Sequence, residues 1–187
     1  MELKSNKSER VWNGLKKKIS EEGLHDLYSC FLSEENNIEQ DMLSYIRYII
    51  SFSKNVENNF GNYSVLKVAQ TSKKVCREKH RFEAFVRFQL LTDGLYFAPV
   101  EPYFNILPLI ISHFQTRYLD QKWLIYDLKR KYGIYHDLVK INFVKIDFEN
   151  FTAQNKLPVG IPHPDERLFS NFGKIILIML IFLPEKI

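Results

Sequence analysis

The hydrophobic period of this chain changes near residue 85, and that change limits the fold more than any other feature. Upstream, apolar residues recur at three- and four-residue spacing, which gives a helix one apolar face. Downstream they alternate, which is the repeat of a strand with two unlike faces. Helices gathered ahead of strands make an α+β chain.

Four helices are predicted in the first part. In residues 8–20, Val11, Leu15 and Ile19 stand four apart beside Trp12, and Lys16, Lys17 and Lys18 lie where the helix dipole favours cations. Residues 24–32 form a second helix. Residues 38–52 form a third, with Met42, Tyr45, Ile46 and Ile49 on one side. Residues 56–61 are a polar loop containing Asn58-Asn59-Phe60-Gly61. A long helix follows over residues 64–82. At about 100° per residue, Val65, Val68, Ala69, Val75, Cys76 and Phe82 fall together. Lys67, Gln70, Lys73, Lys74, Arg77, His80 and Arg81 fall on the other side.

Residues 85–91 alternate as a strand, Thr92-Asp93-Gly94 is a hairpin turn, and residues 95–100 return. Pro99 points to an edge position or a strand end. Residues 105–118 are helical. Residues 123–128 and 134–138 are two more strands, and residues 143–148 add an edge strand. The expected architecture is one domain with N-terminal helices packed on an antiparallel ββαββ sheet. Residues 8–82 are its helical region and 83–148 its sheet region. Residues 149–187 are a loop and an atypical tail, with a last helix over 165–172.

Composition excludes more than it identifies. The 187 residues carry a net charge of +4, too small to name a partner by itself. Aromatic residues reach 14%, which suits a sheet-containing core and also supplies rings for stacking on bases. Cys30 and Cys76 form no C-x-x-C pair, and two cysteines cannot make a four-cysteine iron–sulfur site. With no signal peptide in view, a reducing cytoplasmic setting is expected, with both thiols packed as small apolar groups. His25, His80, His113, His136 and His163 are scattered without metal-ligand spacing. Phosphate-binding loops, dinucleotide fingerprints and nucleophile elbows are absent. No cofactor and no metal are therefore expected.

Two constellations remain. Lys73, Lys74, Arg77 and Arg81 form a compact cationic stripe near the strand that carries Arg87. Such a stripe can neutralise phosphates, or it can be the solvated face of any amphipathic helix. The second is a polar set in and around the ββαββ unit: Glu101, His113, Arg117, Asp120, Gln121, Asp127, Arg130, His136 and Asp137. Within it, Glu101, His113, Asp127 and Asp137 are the candidates for acid–base chemistry. The same residues also read as a salt-bridged sheet edge.

Several strings together resemble one family. They include Arg81-Phe82-Glu83-Ala84-Phe85-Val86-Arg87-Phe88, Asp93-Gly94-Leu95-Tyr96, Val100-Glu101-Pro102 and His113-Phe114. Asp120-Gln121-Lys122-Trp123-Leu124-Ile125-Tyr126-Asp127 and Lys129-Arg130-Lys131-Tyr132-Gly133-Ile134-Tyr135-His136-Asp137 add to them. Val11-Trp12-Asn13-Gly14-Leu15, Tyr45-Ile46-Arg47-Tyr48 and Asn59-Phe60-Gly61 match more loosely. The chain resembles a bacterial family of DNA metabolism or DNA repair proteins linked to a radical SAM protein. The same module resembles a domain fused to uracil-DNA glycosylase relatives. The resemblance spans about residues 8–170 and implies DNA as a partner, with a radical SAM protein beside it.

Three departures stand out. Tyr103 occupies a position that is usually acidic after Glu-Pro in the family. The sequence starts almost at the Trp12 helix, so the family's additional N-terminal segment is expected to be absent. After Leu168-Phe169 the expected Trp-Lys-aromatic helix and basic tail give way to Phe172-Gly173-Lys174 and an apolar run over residues 175–183. A membrane helix needs about 20 such residues, so the run reads either as buried core or as a frame-shifted end. The favoured expectation is a nucleic-acid-binding accessory to a radical SAM protein or DNA glycosylase. The alternatives are an enzyme with its site near Glu101, His113, Asp127 and Asp137, or a protein–protein adaptor that uses the helical part.

Overall fold

Two helices of the N-terminal half begin where a polar side chain takes over an orphaned backbone N–H. The computed structural model describes residues 2–52, 56–91 and 94–145. In chain order these are α1 (Glu2–Lys16), α2 (Glu21–Ser33), α3 (Ile38–Ser51), α4 (Tyr63–Phe85), β1 (Gln89–Leu90), β2 (Tyr96–Val100), α5 (Leu107–Arg117), β3 (Trp123–Asp127), β4 (Tyr132–His136) and β5 (Ile141–Val144). The class is α+β, with the N-terminal helices followed by a sheet. The expected helix over 165–172 and the apolar run over 175–183 lie outside the described residues.

The chain gathers into two units. The first is Met1–Arg81 with Tyr103–Ile106. Its α2 starts at Ser20, whose hydroxyl accepts the Gly23 N–H at 3.0 Å. Glu57 holds that cap from outside, accepting the Ser20 backbone N–H at 3.0 Å and the Ser20 hydroxyl. Asn62 starts α4, its Oδ1 accepting the N–H groups of Ser64 at 2.9 Å and Val65 at 3.3 Å. Leu15, Ile19, Leu27, Cys30, Ile38, Tyr45, Ile49, Val65 and Val68 form the core of this unit. The predicted faces of α4 hold: Val65, Val68 and Val75 are buried, while Lys73, Lys74, Arg77 and Arg81 are exposed. Cys30 packs as a small apolar group whose thiol donates to the Val68 carbonyl at 3.2 Å. Burial pushes that thiol up to about 12. Cys76 is only half-buried.

The second unit is Phe82–Pro102 with the chain from Leu107 onward. Among the described residues its sheet has the order β1-β2-β3-β4-β5. Three pairings are antiparallel, but β2 and β3 run parallel, with Val100 opposite Asp127. The connection explains this departure from the antiparallel expectation. α5 carries the chain back to the starting end of β2, so the next strand beside it runs in the same direction. β3 is buried along its whole length. Leu124 and Tyr126 join Phe97, Tyr135 and Val144 on one face. Trp123, whose side chain lies on the opposite face, meets Phe114 of α5 with ring centroids 6.1 Å apart.

The strand predicted over 85–91 shrinks to β1. α4 runs on to Phe85, and the Val86 N–H still bonds to the Phe82 carbonyl at 3.0 Å. Phe88 is held by its ring neighbours Phe114, Tyr118 and Trp123 rather than by a ladder. Gly94 takes φ 81° in the hairpin, as the turn signal requires. Pro99 is tolerated inside β2 because β1 pairs only with Tyr96 and Phe97. β4 ends at His136 because the next residue, Asp137, turns the chain, and β5 begins at Ile141, ahead of its predicted start. Among the described residues no helix is long and apolar enough to cross a membrane.

Gly133 sits opposite Tyr126. A Cβ there would lie 2.8 Å from the Ile125 carbonyl oxygen and 2.9 Å from the Tyr126 ring. The first contact is backbone and cannot rotate away. Gly133→Ala is expected to destabilise the protein by about 1–3 kcal/mol, as overpacked cores do, measured by the urea midpoint.

Candidate nucleic-acid interface

The cationic stripe of α4 flanks a buried carboxylate that anchors the neighbouring loop. Glu78 is 6% exposed, three residues after the buried Val75 and therefore on the apolar side of the helix. Its Oε1 accepts the Tyr103 N–H at 2.9 Å, and its Oε2 accepts the Phe104 N–H at 2.8 Å. Arg81 donates to Oε1 at 3.0 Å. Asn105 fastens the same loop through its N–H to the Leu32 carbonyl at 2.9 Å and its side chain to Glu34 at 3.2 Å. Residues Tyr103–Ile106 are thus part of the helical unit, although the sequence around them continues into the sheet unit.

The clamp sorts two adjacent rings. Phe104 is buried, whereas Tyr103 is 68% exposed. Their rings meet in a T-shape at 4.8 Å and 89°. Tyr103, Phe104, Lys74, Arg77, Glu78 and Arg81 line an open hollow of about 340 Å³. Three cations and an exposed aromatic ring therefore share one concavity.

Each predicted cation has a definite place. Lys74, Arg77 and Arg81 line the hollow. Lys73 lines a different cavity, described below. Arg87 is exposed and belongs to the sheet unit. Lys74 is partly neutralised by Glu35, which it meets at 3.2 Å while Lys67 meets the other carboxylate oxygen at 2.9 Å. The hydrogen bond from Lys67 holds the Glu35 carboxyl below the usual range against the opposing effect of burial, and Lys74 adds to it. Lys67 is raised by the same bond.

The second cavity, of about 290 Å³, lies among α2, α3 and α4 and includes Asp26, Tyr45, Glu57, Ser72, Lys73 and Cys76 in its lining. Its polar groups are largely bonded to one another. Ser72 donates to Asp26 at 2.6 Å, and Glu57 is engaged by Ser20.

The polar set of the sheet unit is not gathered in one place. Asp127 is fully buried; its Oδ1 accepts the N–H groups of Lys129 at 2.8 Å and Arg130 at 3.0 Å, and its Oδ2 pairs with Arg130 at 3.0 Å. Arg130 also reaches the Pro102 carbonyl at 3.2 Å. Asp137 accepts the N–H groups of Val139 and Lys140 at 2.9 and 2.8 Å, and the Asn142 amide at 3.2 Å. Burial alone would raise its carboxyl, but these three donors and the Lys140 charge hold it below its ordinary value.

The register puts Asp127 opposite Tyr132 and places His136 opposite Trp123. Asp127 and Asp137 thus stand at opposite ends of the β3–β4 ladder, which spans about 13 Å at 3.3 Å per residue. Glu101 is exposed, one residue beyond Val100 at the Asp127 end. The His113 ring lies against Phe114, and Phe114 against Trp123 at the other end. His136 stacks on Trp123 at 5.4 Å, and its Nδ1 lies 3.0 Å from the Gln121 carbonyl. Neither His113 Nε2 nor His136 Nε2 has a hydrogen-bond partner among the described residues.

Sequence reasoning missed Glu78 and Glu35, and it singled out Tyr103 only as a departure from the family pattern. Glu78 carried a signal, since a carboxylate on an apolar helix face needs internal partners. The exposure of Tyr103 and the position of Glu35 depend on long-range contacts and carried none.

Comparison with known proteins gives one result. The family model described as a domain of unknown function, DUF4130, matches residues 36–172. No curated protein matches, and no solved structure matches.

Two outcomes follow from these contacts. Glu78→Ala strands the N–H groups of Tyr103 and Phe104, and is expected to cost roughly 2–4 kcal/mol in urea unfolding; Glu78→Gln keeps one acceptor and should cost less. Glu35 has a lowered pKa when folded. The stability it contributes is present above its unfolded value and is lost as pH falls through the folded one. Glu35→Gln should therefore flatten the acid limb of a stability profile taken from pH 7 to about pH 3. Identical limbs would show that the Lys67–Glu35–Lys74 group contributes nothing.

Proposed function

We propose that this chain, which belongs to the DUF4130 family, is a nucleic-acid-contacting module that holds phosphates on the exposed face of α4. The observation that carries this reading is the hollow in which Lys74, Arg77 and Arg81 surround an exposed Tyr103. Arginine suits the task because its planar fork meets phosphate oxygens two at a time. Mounting the cations on a helix fixes their spacing, and the Glu78 bond orients Arg81.

The resemblance to DNA metabolism and repair proteins supplies DNA as the nucleic acid. It also supplies the role of accessory to a radical SAM protein or DNA glycosylase. Free thiols at Cys30 and Cys76 suit a reducing cytoplasmic compartment.

The test is a fluorescence-anisotropy titration at several salt concentrations. Two or three phosphate contacts predict a slope of log K against log salt of about −1.4 to −2.1 on single strands. Replacing Lys73, Lys74, Arg77 and Arg81 together with Ala should weaken binding to all sequences alike, since phosphate contacts carry no base information. A quadruple variant that binds DNA as well as the parent refutes the assignment.

A further inference from the structure

We propose that the cavity among α2, α3 and α4 binds a small organic cation, an alkylammonium compound. It shares no lining residue with the hollow of α4, so the inference is independent of the phosphate-contact reading. The cavity measures about 290 Å³. That is close to the lower end of ligand pockets, with room for about ten waters at roughly 30 Å³ each or a ligand of similar bulk. Three carboxylates line it, Glu22, Asp26 and Glu57, against one lysine, Lys73. Lys73 is exposed and takes part in none of the ion pairs among the described residues. It therefore leaves the negative charge of the lining in place.

A second observation points to a ligand. Tyr45 lines the cavity and is only 3% exposed, yet its hydroxyl makes no hydrogen bond among the described residues. A phenol buried this deeply ordinarily has a partner. Gly23 brings that hydroxyl beside Glu57: a Cβ on Gly23 would lie 2.6 Å from Glu57 Oε2 and 2.8 Å from the Tyr45 oxygen. Burial, then the charges of Glu57 and Asp26, raise the Tyr45 hydroxyl above its ordinary value. The same field favours a cation beside it. Asp26 also keeps an acceptor in reserve. Its Oδ1 accepts from Ser72 at 2.6 Å and lies 3.9 Å from His25 Nδ1, while its Oδ2 has no donor among the described residues. An ammonium group has three N–H donors and no acceptor, which complements carboxylate and phenol oxygens. The buried Val65 and Val68 give its alkyl chain an apolar wall. A metal ion fits less well, because among the described residues no three His, Cys, Asp or Glu side chains are grouped to hold one.

The test titrates the full chain by calorimetry at constant ionic strength with hexylamine, hexanol, hexanoate and zinc chloride. Hexylamine should bind saturably, one to one, and raise the melting temperature. Hexanol and hexanoate, which keep the chain and lose the positive charge, should bind at least about tenfold more weakly. Asp26→Asn keeps an acceptor for Ser72 but removes the charge, and should weaken hexylamine about tenfold. Tyr45→Phe should weaken it several-fold and leave the melting temperature of the free protein unchanged, because the hydroxyl it removes has no partner to lose. It carries the test if Asp26→Asn folds poorly. Lys73→Ala, which removes a competing cation, should bind hexylamine at least as tightly as the parent. Hexanol or hexanoate binding as well as hexylamine overturns the proposal. So does zinc binding that Asp26→Asn abolishes where hexylamine gives none. If Tyr45→Phe and every folded Asp26 variant bind hexylamine like the parent, the amine sits elsewhere and the assignment falls. If the parent shows no saturable hexylamine binding, the cavity holds only water and the proposal is refuted, with the reading of α4 untouched.

Discussion

A carboxylate taken out of water must be given donors, and Glu78 is given three. Two are backbone N–H groups of one loop and the third is the Arg81 guanidinium. Alone, a buried carboxylate would cost several kcal/mol. With these partners it becomes the point where loop Tyr103–Ile106 is fixed to α4. The surface chemistry depends on that bond. It holds Tyr103 beside α4, and it fixes one guanidinium nitrogen of Arg81, which lines the hollow. One buried charge thus converts an amphipathic helix face into a concavity with a ring and three cations.

Local periodicity made much of the fold legible. The faces of α4 were readable because Val65, Val68 and Val75 recur at helical spacing, and β3 and β4 because each is a short apolar run beside turn residues. The parallel pairing of β2 with β3 was not read, although the strand–helix–strand order contains it. The start of the sheet was misplaced for a different reason. Residues 85–88 alternate, but α4 continues through Phe85, and Phe88 is captured by three rings that lie 26 or more positions later in the chain. Tertiary packing overrode a local pattern there.

Asp127 and Asp137 show why a candidate site is harder to read than a fold. Aspartate after a strand is equally apt for acid–base chemistry and for bonding the N–H groups two and three residues on. Both residues do the second. Asp127 accepts from Lys129 and Arg130, and Asp137 from Val139 and Lys140. The turns they build contain Lys131 and Leu138 at φ 55° and 82°, left-handed conformations that are uncommon for side-chain-bearing residues and need such support. The spacing of an aspartate two residues before a backbone donor was present in the sequence. What the sequence lacked was the register that sends the two turns to opposite ends of the ladder.

That commitment of polar groups bears on the choice between binding and chemistry. Acid–base catalysis needs titratable groups that converge on a shared space and keep protons to exchange. Asp127 is saturated by Arg130 and two N–H groups, and Asp137 by three donors. In the cavity among α2, α3 and α4, Asp26 is engaged by Ser72 and Glu57 by Ser20. In the hollow on α4, Lys74 meets Glu35 and Arg81 meets Glu78, whose carboxylate also holds the Tyr103 and Phe104 N–H groups. Groups that carry fixed charge and a ring that carries a π face are suited to holding a ligand, and none of them needs to exchange a proton to do so. That is the physical ground of the binding role proposed for α4.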